Sequence, residues 1–145
     1  MRSRKTILIV DDDADIRFGH HVLLTANHYD TLFASDALSA IREAHTHTPD
    51  LIILDLGLPS VPTSEVAELD LKPEGGFFVM DNLRVDPDLS LIPVVVVSGR
   101  DPHRNRGRAL HSGAMAFVQK PWNENHLLAI IGQLLGSPEP STSRT

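Results

Sequence analysis

The sequence predicts a five-stranded, doubly wound α/β domain, and two observations carry that expectation. Short apolar runs rich in β-branched residues alternate with helix-like stretches along most of the 145-residue chain. Runs such as Leu51-Ile-Ile-Leu54 and Pro93-Val-Val-Val-Val97 are also apolar without alternation. Strands apolar on both faces belong in a parallel sheet covered on two sides, and strict β/α alternation builds that sheet through right-handed crossovers.

Thr6 to Val10, β-branched and apolar, is the first strand, and Asp13 reads as the N-cap of an amphipathic helix from Ala14 to Ala26. Tyr29 to Ala34 is the second strand, and Ala37 to Ala44 a helical stretch. Leu51 to Leu54 is the third strand and Gly76 to Arg84 a short helix. Pro93 to Val97 follows as the fourth strand, then a helix from Arg104 to Ser112, a fifth strand from Ala114 to Gln119 and a last helix from Asn123 to Leu135. Residues 137–145, rich in Pro, Ser and Thr, read as a flexible tail or the start of a linker.

Composition excludes several classes. With 41% hydrophobic and 22% charged residues the chain suits one globular domain. A net charge of −6 argues against direct nucleic-acid binding or general affinity for an anionic membrane. Arg100, Arg104, Arg106 and Arg108 form a basic cluster too loose and too poor in aromatics for a nucleic-acid motif; it reads as a solvated loop and helix face, with a partner-docking or anion site as the alternative. No apolar run approaches the roughly 20 residues of a membrane span, so neither a secretory leader nor a membrane anchor is expected. The absence of cysteine removes disulfides, thiolate metal sites and cysteine nucleophiles, and a cytoplasmic location is expected.

In open α/β sheets the reactive site lies beyond the carboxyl ends of the strands. The first strand ends in Asp11-Asp12-Asp13, the third in Asp55, the fourth in Ser98-Gly99 and the fifth in Lys120-Pro121. If strands one and three are neighbours, three carboxylates converge with a hydroxyl and an ammonium facing them. Clustered carboxylates repel one another unless a cation sits among them, and oxygen-only ligands suit Mg²⁺. A carboxylate beside such a cation can act as a nucleophile toward a phosphoryl group, which makes Asp55 the candidate.

Ile7-Leu-Ile-Val-Asp-Asp-Asp13, Pro49-Asp-Leu-Ile-Ile-Leu-Asp-Leu-Gly-Leu-Pro59, Ile92-Pro-Val-Val-Val-Val-Ser-Gly99 and Ala114 to Pro121 together resemble the receiver domain of two-component response regulators over residues 5–136. The resemblance implies a flavodoxin-like (βα)5 fold with strand order 2-1-3-4-5. It implies that Asp55 accepts a phosphoryl group from a sensor histidine kinase or histidine phosphotransfer protein. Asp12, Asp55 and the backbone carbonyl of Gly57 would hold Mg²⁺, with Asp11 assisting, mostly through water. Ser98 and Lys120 would contact the phosphate, the Lys120–Pro121 bond would be cis, and Phe117 would stand where the family carries an aromatic switch residue.

The output implied is a change in the surface made by the fourth helix, fifth strand and fifth helix, read by a downstream partner or an output domain; the resemblance also leaves room for a phosphorylation-dependent homodimer. Such a module is not an enzyme on an external substrate. Two rivals stay open: a Mg²⁺-dependent phosphatase or phosphotransferase with an Asp nucleophile, though Gly57 stands where an Asp-x-Asp acid is needed, and an interaction module working without phosphorylation.

The sequence departs from the family after Pro59, where about a dozen extra residues intervene before Gly75-Gly76, and the usual Asp of an Asp-Gly pair is Gly75. Within Ser60 to Glu74, Val66 and Leu69 have helical spacing, and the segment's net charge of −3 suggests an acidic flap at the rim of the site. The eight histidines are scattered and read as surface or helix-face residues.

Overall fold

The computed structural model describes residues 4–59 and 74–136. Its five strands are β1 (Thr6–Val10), β2 (Asp30–Ala34), β3 (Leu51–Leu54), β4 (Val94–Ser98) and β5 (Ala116–Gln119). All pair in parallel, in the order β2-β1-β3-β4-β5. Among the described residues the helices are α1 (Ala14–Ala26), α2 (Ala37–His47), α3 (Gly75–Val85), α4 (Pro102–His111) and α5 (Glu124–Leu135). None is long and apolar enough to cross a membrane. The expected helical turn near Val66 and Leu69, and the tail, lie outside the described residues.

The period-two geometry of strands sorts the core into two layers. Leu8, Val10, Ile52, Leu54, Val94, Val96 and Phe117 meet Ala37, Ala40 and Ala44 of α2, Phe77 and Met80 of α3 and Ala109 of α4. Ile7, Ile9, Leu51, Ile53, Val95, Val97 and Val118 face Leu24 of α1 and Leu127 and Ile131 of α5. The central strands β3 and β4 are buried on both faces throughout, as their unbroken apolar sequences require. Burying each such Leu, Ile or Val contributes about 1.5–3 kcal/mol. Edge strand β2 is half-solvated.

Caps set most helix starts. Asp13 accepts from the N–H groups of Asp15 and Ile16, as its sequence position suggests, and Asp36 accepts from Ser39. Helix α4 starts two residues before the expected Arg104, because Asp101 caps it by accepting from His103 and Pro102 supplies the first position. Asn123 caps α5. Helix α3 has no side-chain cap; it begins by close backbone approach, Gly75 N–H donating to Leu58 O at 2.8 Å and Gly76 N–H to Leu56 O at 3.2 Å.

Candidate functional site

The strand register brings the carboxyl ends of β1, β3, β4 and β5 to one rim. Asp11 N–H donates to Ala34 O at 3.1 Å, Asp55 N–H to Val10 O at 3.0 Å, and Lys120 N–H to Ser98 O at 2.8 Å. Each polar residue is therefore pinned by a ladder bond to the strand beside it. Asp11, Asp12 and Asp55 each offer a carboxylate oxygen within 4.8 Å of the others, Asp11 and Asp55 buried and Asp12 exposed. Asp11 is fixed on both oxygens: Oδ1 accepts the Asp13 N–H at 2.9 Å and Oδ2 accepts from Lys120 Nζ at 2.8 Å. Lys120 Nζ also stands 3.5 Å from Asp55 Oδ1.

Charge is unbalanced here, since among the described residues the carboxylates of Asp11, Asp12 and Asp55 meet the ammonium of Lys120. Burial and then the Asp11 charge push the carboxyls of Asp12 and Asp55 above the usual aspartate value; Lys120 works the other way on both. Burial opposes the charge on Lys120, yet the hydrogen bond to Asp11 and the charges of Asp55 and Asp11 outweigh it and raise its pKa. A cluster of hard oxygen donors with surplus negative charge fits a small divalent cation coordinated by oxygen.

The remaining expected residues fall around this cluster. The Gly57 backbone N–H favours the charged form of the Asp55 carboxyl, opposing the effect of burial. Ser98 is fully buried, and its Oγ accepts the Arg100 N–H at 3.0 Å. Phe117 is buried in the core layer beneath α2, α3 and α4. The Lys120–Pro121 bond is cis, as the resemblance implies.

Several neighbours carry a weaker signal in sequence. Arg17 of α1 donates to the Asp11 carbonyl at 2.7 Å. His20 is not a surface histidine: it is 1% exposed and stacks on Trp122, two residues beyond Lys120, with ring centroids 4.4 Å apart. Burial lowers its pKa to about 4. Arg100 and Arg108 are not simply solvated either, for both pair with Glu74 at 2.8 Å. An i, i+4 count places His20 on an apolar helix face, whereas nothing local ties Glu74 to residues 26 and 34 positions away.

Residues 7–132 match the family model of the response regulator receiver domain, and the chain belongs to that family, the phosphoryl-receiving module of two-component systems. Transcriptional regulatory protein KdpE of Mycobacterium tuberculosis is 32% identical over 123 residues, 85% of this chain and 47% of that protein. Phosphate regulon transcriptional regulatory protein PhoB of Pseudomonas aeruginosa is 33% identical over 139 residues, 96% of this chain and 55% of that protein. This chain thus spans about half the length of these curated relatives. The solved chemotaxis protein CheY4 of Vibrio cholerae shares the fold with a TM-score of 0.76 at 22% identity, over 92% of this chain and all of that one.

Proposed function

We propose that Asp55 is the phosphoacceptor of this receiver domain. The observation that carries this reading is the meeting of Asp11, Asp12, Asp55 and Lys120 at the carboxyl ends of three strands, with Asp55 buried and Asp12 exposed. A phosphohistidine of a sensor histidine kinase or phosphotransfer protein supplies the phosphoryl group. One Asp55 carboxylate oxygen forms the new O–P bond as the N–P bond to imidazole breaks, and the electron pair leaves with the ring nitrogen. Lys120, already within 3.5 Å of Asp55, moves its positive charge toward the phosphoryl oxygens.

Asp12, Asp55 and the Gly57 carbonyl would hold Mg²⁺, with Asp11 assisting through water; the ion supplies positive charge against the phosphoryl oxygens during transfer. Asp11 keeps Lys120 aimed into the cleft. Ser98 donates its hydroxyl proton to a phosphoryl oxygen while still accepting the Arg100 N–H, and Phe117 follows Ser98 inward. The change reaches the surface of α4, β5 and α5, where a downstream partner or an output domain reads it. The domain is then a cytoplasmic signalling switch of residues 5–136, with an insertion at about 60–74 and a linker-like tail, and no reaction on an external substrate is assigned to it. Fluorine NMR with beryllofluoride tests the reading: bound resonances should appear with Mg²⁺ and vanish with chelator, and equal binding in chelator would contradict it.

A further inference from the structure

Arg100 stands two residues beyond Ser98, and its guanidinium turns back toward the carboxylates. A Cβ built on Gly57 would lie 3.8 Å from Arg100 Nε, 3.9 Å from Arg100 Nη2 and 3.8 Å from Asp55 Oδ2. Cation and carboxylate therefore border one space, which Gly57 leaves open by having no side chain. At its other edge the guanidinium is held by Glu74: Nη1 donates to Oε2 at 2.8 Å, while Glu74 Oε1 accepts from Arg108 Nη1 at 2.8 Å. Both oxygens of Glu74 are thus engaged, and Arg108 also lies over the Phe77 ring, 3.6 Å from its centroid.

We propose that Arg100 is a phosphoryl-binding residue kept in reserve by Glu74, and that phosphorylation of Asp55 moves its guanidinium from the Glu74 carboxylate to the phosphoryl oxygens. The inference rests on Asp55 being the phosphoacceptor. The Glu74 pairs are half-solvated, so water and salt weaken them. A phosphoryl group on Asp55 presents more negative charge in a less exposed place and matches the planar guanidinium fork. The hydrogen bonds from Arg100 and Arg108 lower the Glu74 carboxyl pKa, so Glu74 is a charged competitor at neutral pH.

The exchange leaves Glu74 to Arg108 on α4. Glu74 directly follows residues 60–73 in the chain and precedes the first residue of α3. Occupancy of Asp55 would be felt where the inserted segment rejoins the domain, and the acidic end of that segment would set the affinity of the site for phosphoryl groups.

The test is a beryllofluoride titration at saturating Mg²⁺, followed by fluorine NMR, on the unsubstituted chain, Glu74→Gln, Arg100→Gln and the double variant, each checked for native circular dichroism. Glu74→Gln should lower the half-saturating concentration several-fold and Arg100→Gln should raise it several-fold. In the Arg100→Gln background, Glu74→Gln should add nothing, which a merely structural role for Glu74 would not produce. An unchanged midpoint for Glu74→Gln, or an effect that persists without Arg100, would overturn the inference while leaving Asp55 as the acceptor. Failure of all four folded chains to bind would overturn the Asp55 assignment itself, and the inference with it.

Discussion

Lys120 gives its short hydrogen bond to Asp11, at 2.8 Å, and stands farther from Asp55, at 3.5 Å. Asp11 thus holds the ammonium beside Asp55, the proposed acceptor, without a full hydrogen bond to it. In the proposed function Lys120 and Ser98 contact the phosphoryl oxygens, while the O–P bond itself is made by Asp55.

Lys120→Ala and Ser98→Ala should therefore still take up a phosphoryl group from a small donor with Mg²⁺. Their amide shift changes across α4, β5 and α5 on beryllofluoride binding should fall to less than half of those in the parent, by two-dimensional NMR. Full-sized changes in both variants would contradict the proposed route from site to surface.

Removing the Asp55 charge should stabilise the metal-free chain. The pKa of Asp55 is raised in the folded state, so it contributes stability below its unfolded value and loses it as pH rises through the folded one. At pH 7 its ionised form is a net cost. Asp55→Asn should melt a few degrees higher than the parent in chelator, at roughly 2–4 °C per kcal/mol for a chain this size. The gap should close below the ordinary aspartate pKa, where the parent carboxyl is neutral in both states. Calorimetry in chelator at both pH values checks this; equal melting at pH 7 would contradict it.

His20 acts with the opposite sign. Its pKa of about 4 lies below the ordinary 6.5, so between these values the unfolded chain holds a proton that the folded chain lacks. Stability is lost as pH falls through that window, by up to about 3 kcal/mol from this residue. His20→Phe keeps a ring against Trp122 and cannot titrate. Urea unfolding should show a smaller loss between pH 7 and 4.5 for this variant than for the parent; equal losses would contradict the assignment.

Gly76 is a steric requirement of the backbone at Asp55 and Leu56. A Cβ there would lie 2.6 Å from both Asp55 O and Leu56 Cα, backbone atoms that cannot yield cheaply. Gly76→Ala should cost about 1–3 kcal/mol and slow phosphoryl uptake, because relief of the clash displaces the backbone carrying Asp55. A denaturation midpoint and uptake rate equal to those of the parent would show that α3 does not brace the loop.

The fold was legible because its signals are local. Unbroken apolar runs such as Ile52 to Leu54 admit a buried parallel strand, and Asp13 before Ala14 marks a helix start. The meeting of Asp11, Asp12, Asp55 and Lys120 followed from the rule that strand ends converge. The Glu74 bridge and the His20–Trp122 stack were not legible, because each joins residues distant in sequence through side-chain geometry. Gly75 reads as a departure from the family pattern; the need of Gly75 and Gly76 for backbone approach shows only when α3 is set against Leu56 and Leu58.

Phosphoryl attachment to Asp55 is tested most directly by intact mass and peptide mapping after incubation with a small phosphodonor. The parent should gain one phosphoryl group, located on the peptide carrying Asp55, with Mg²⁺ and not with chelator, and Asp55→Asn should gain none. Equal addition to Asp55→Asn, or a label mapped to any residue other than Asp55, would contradict the assignment.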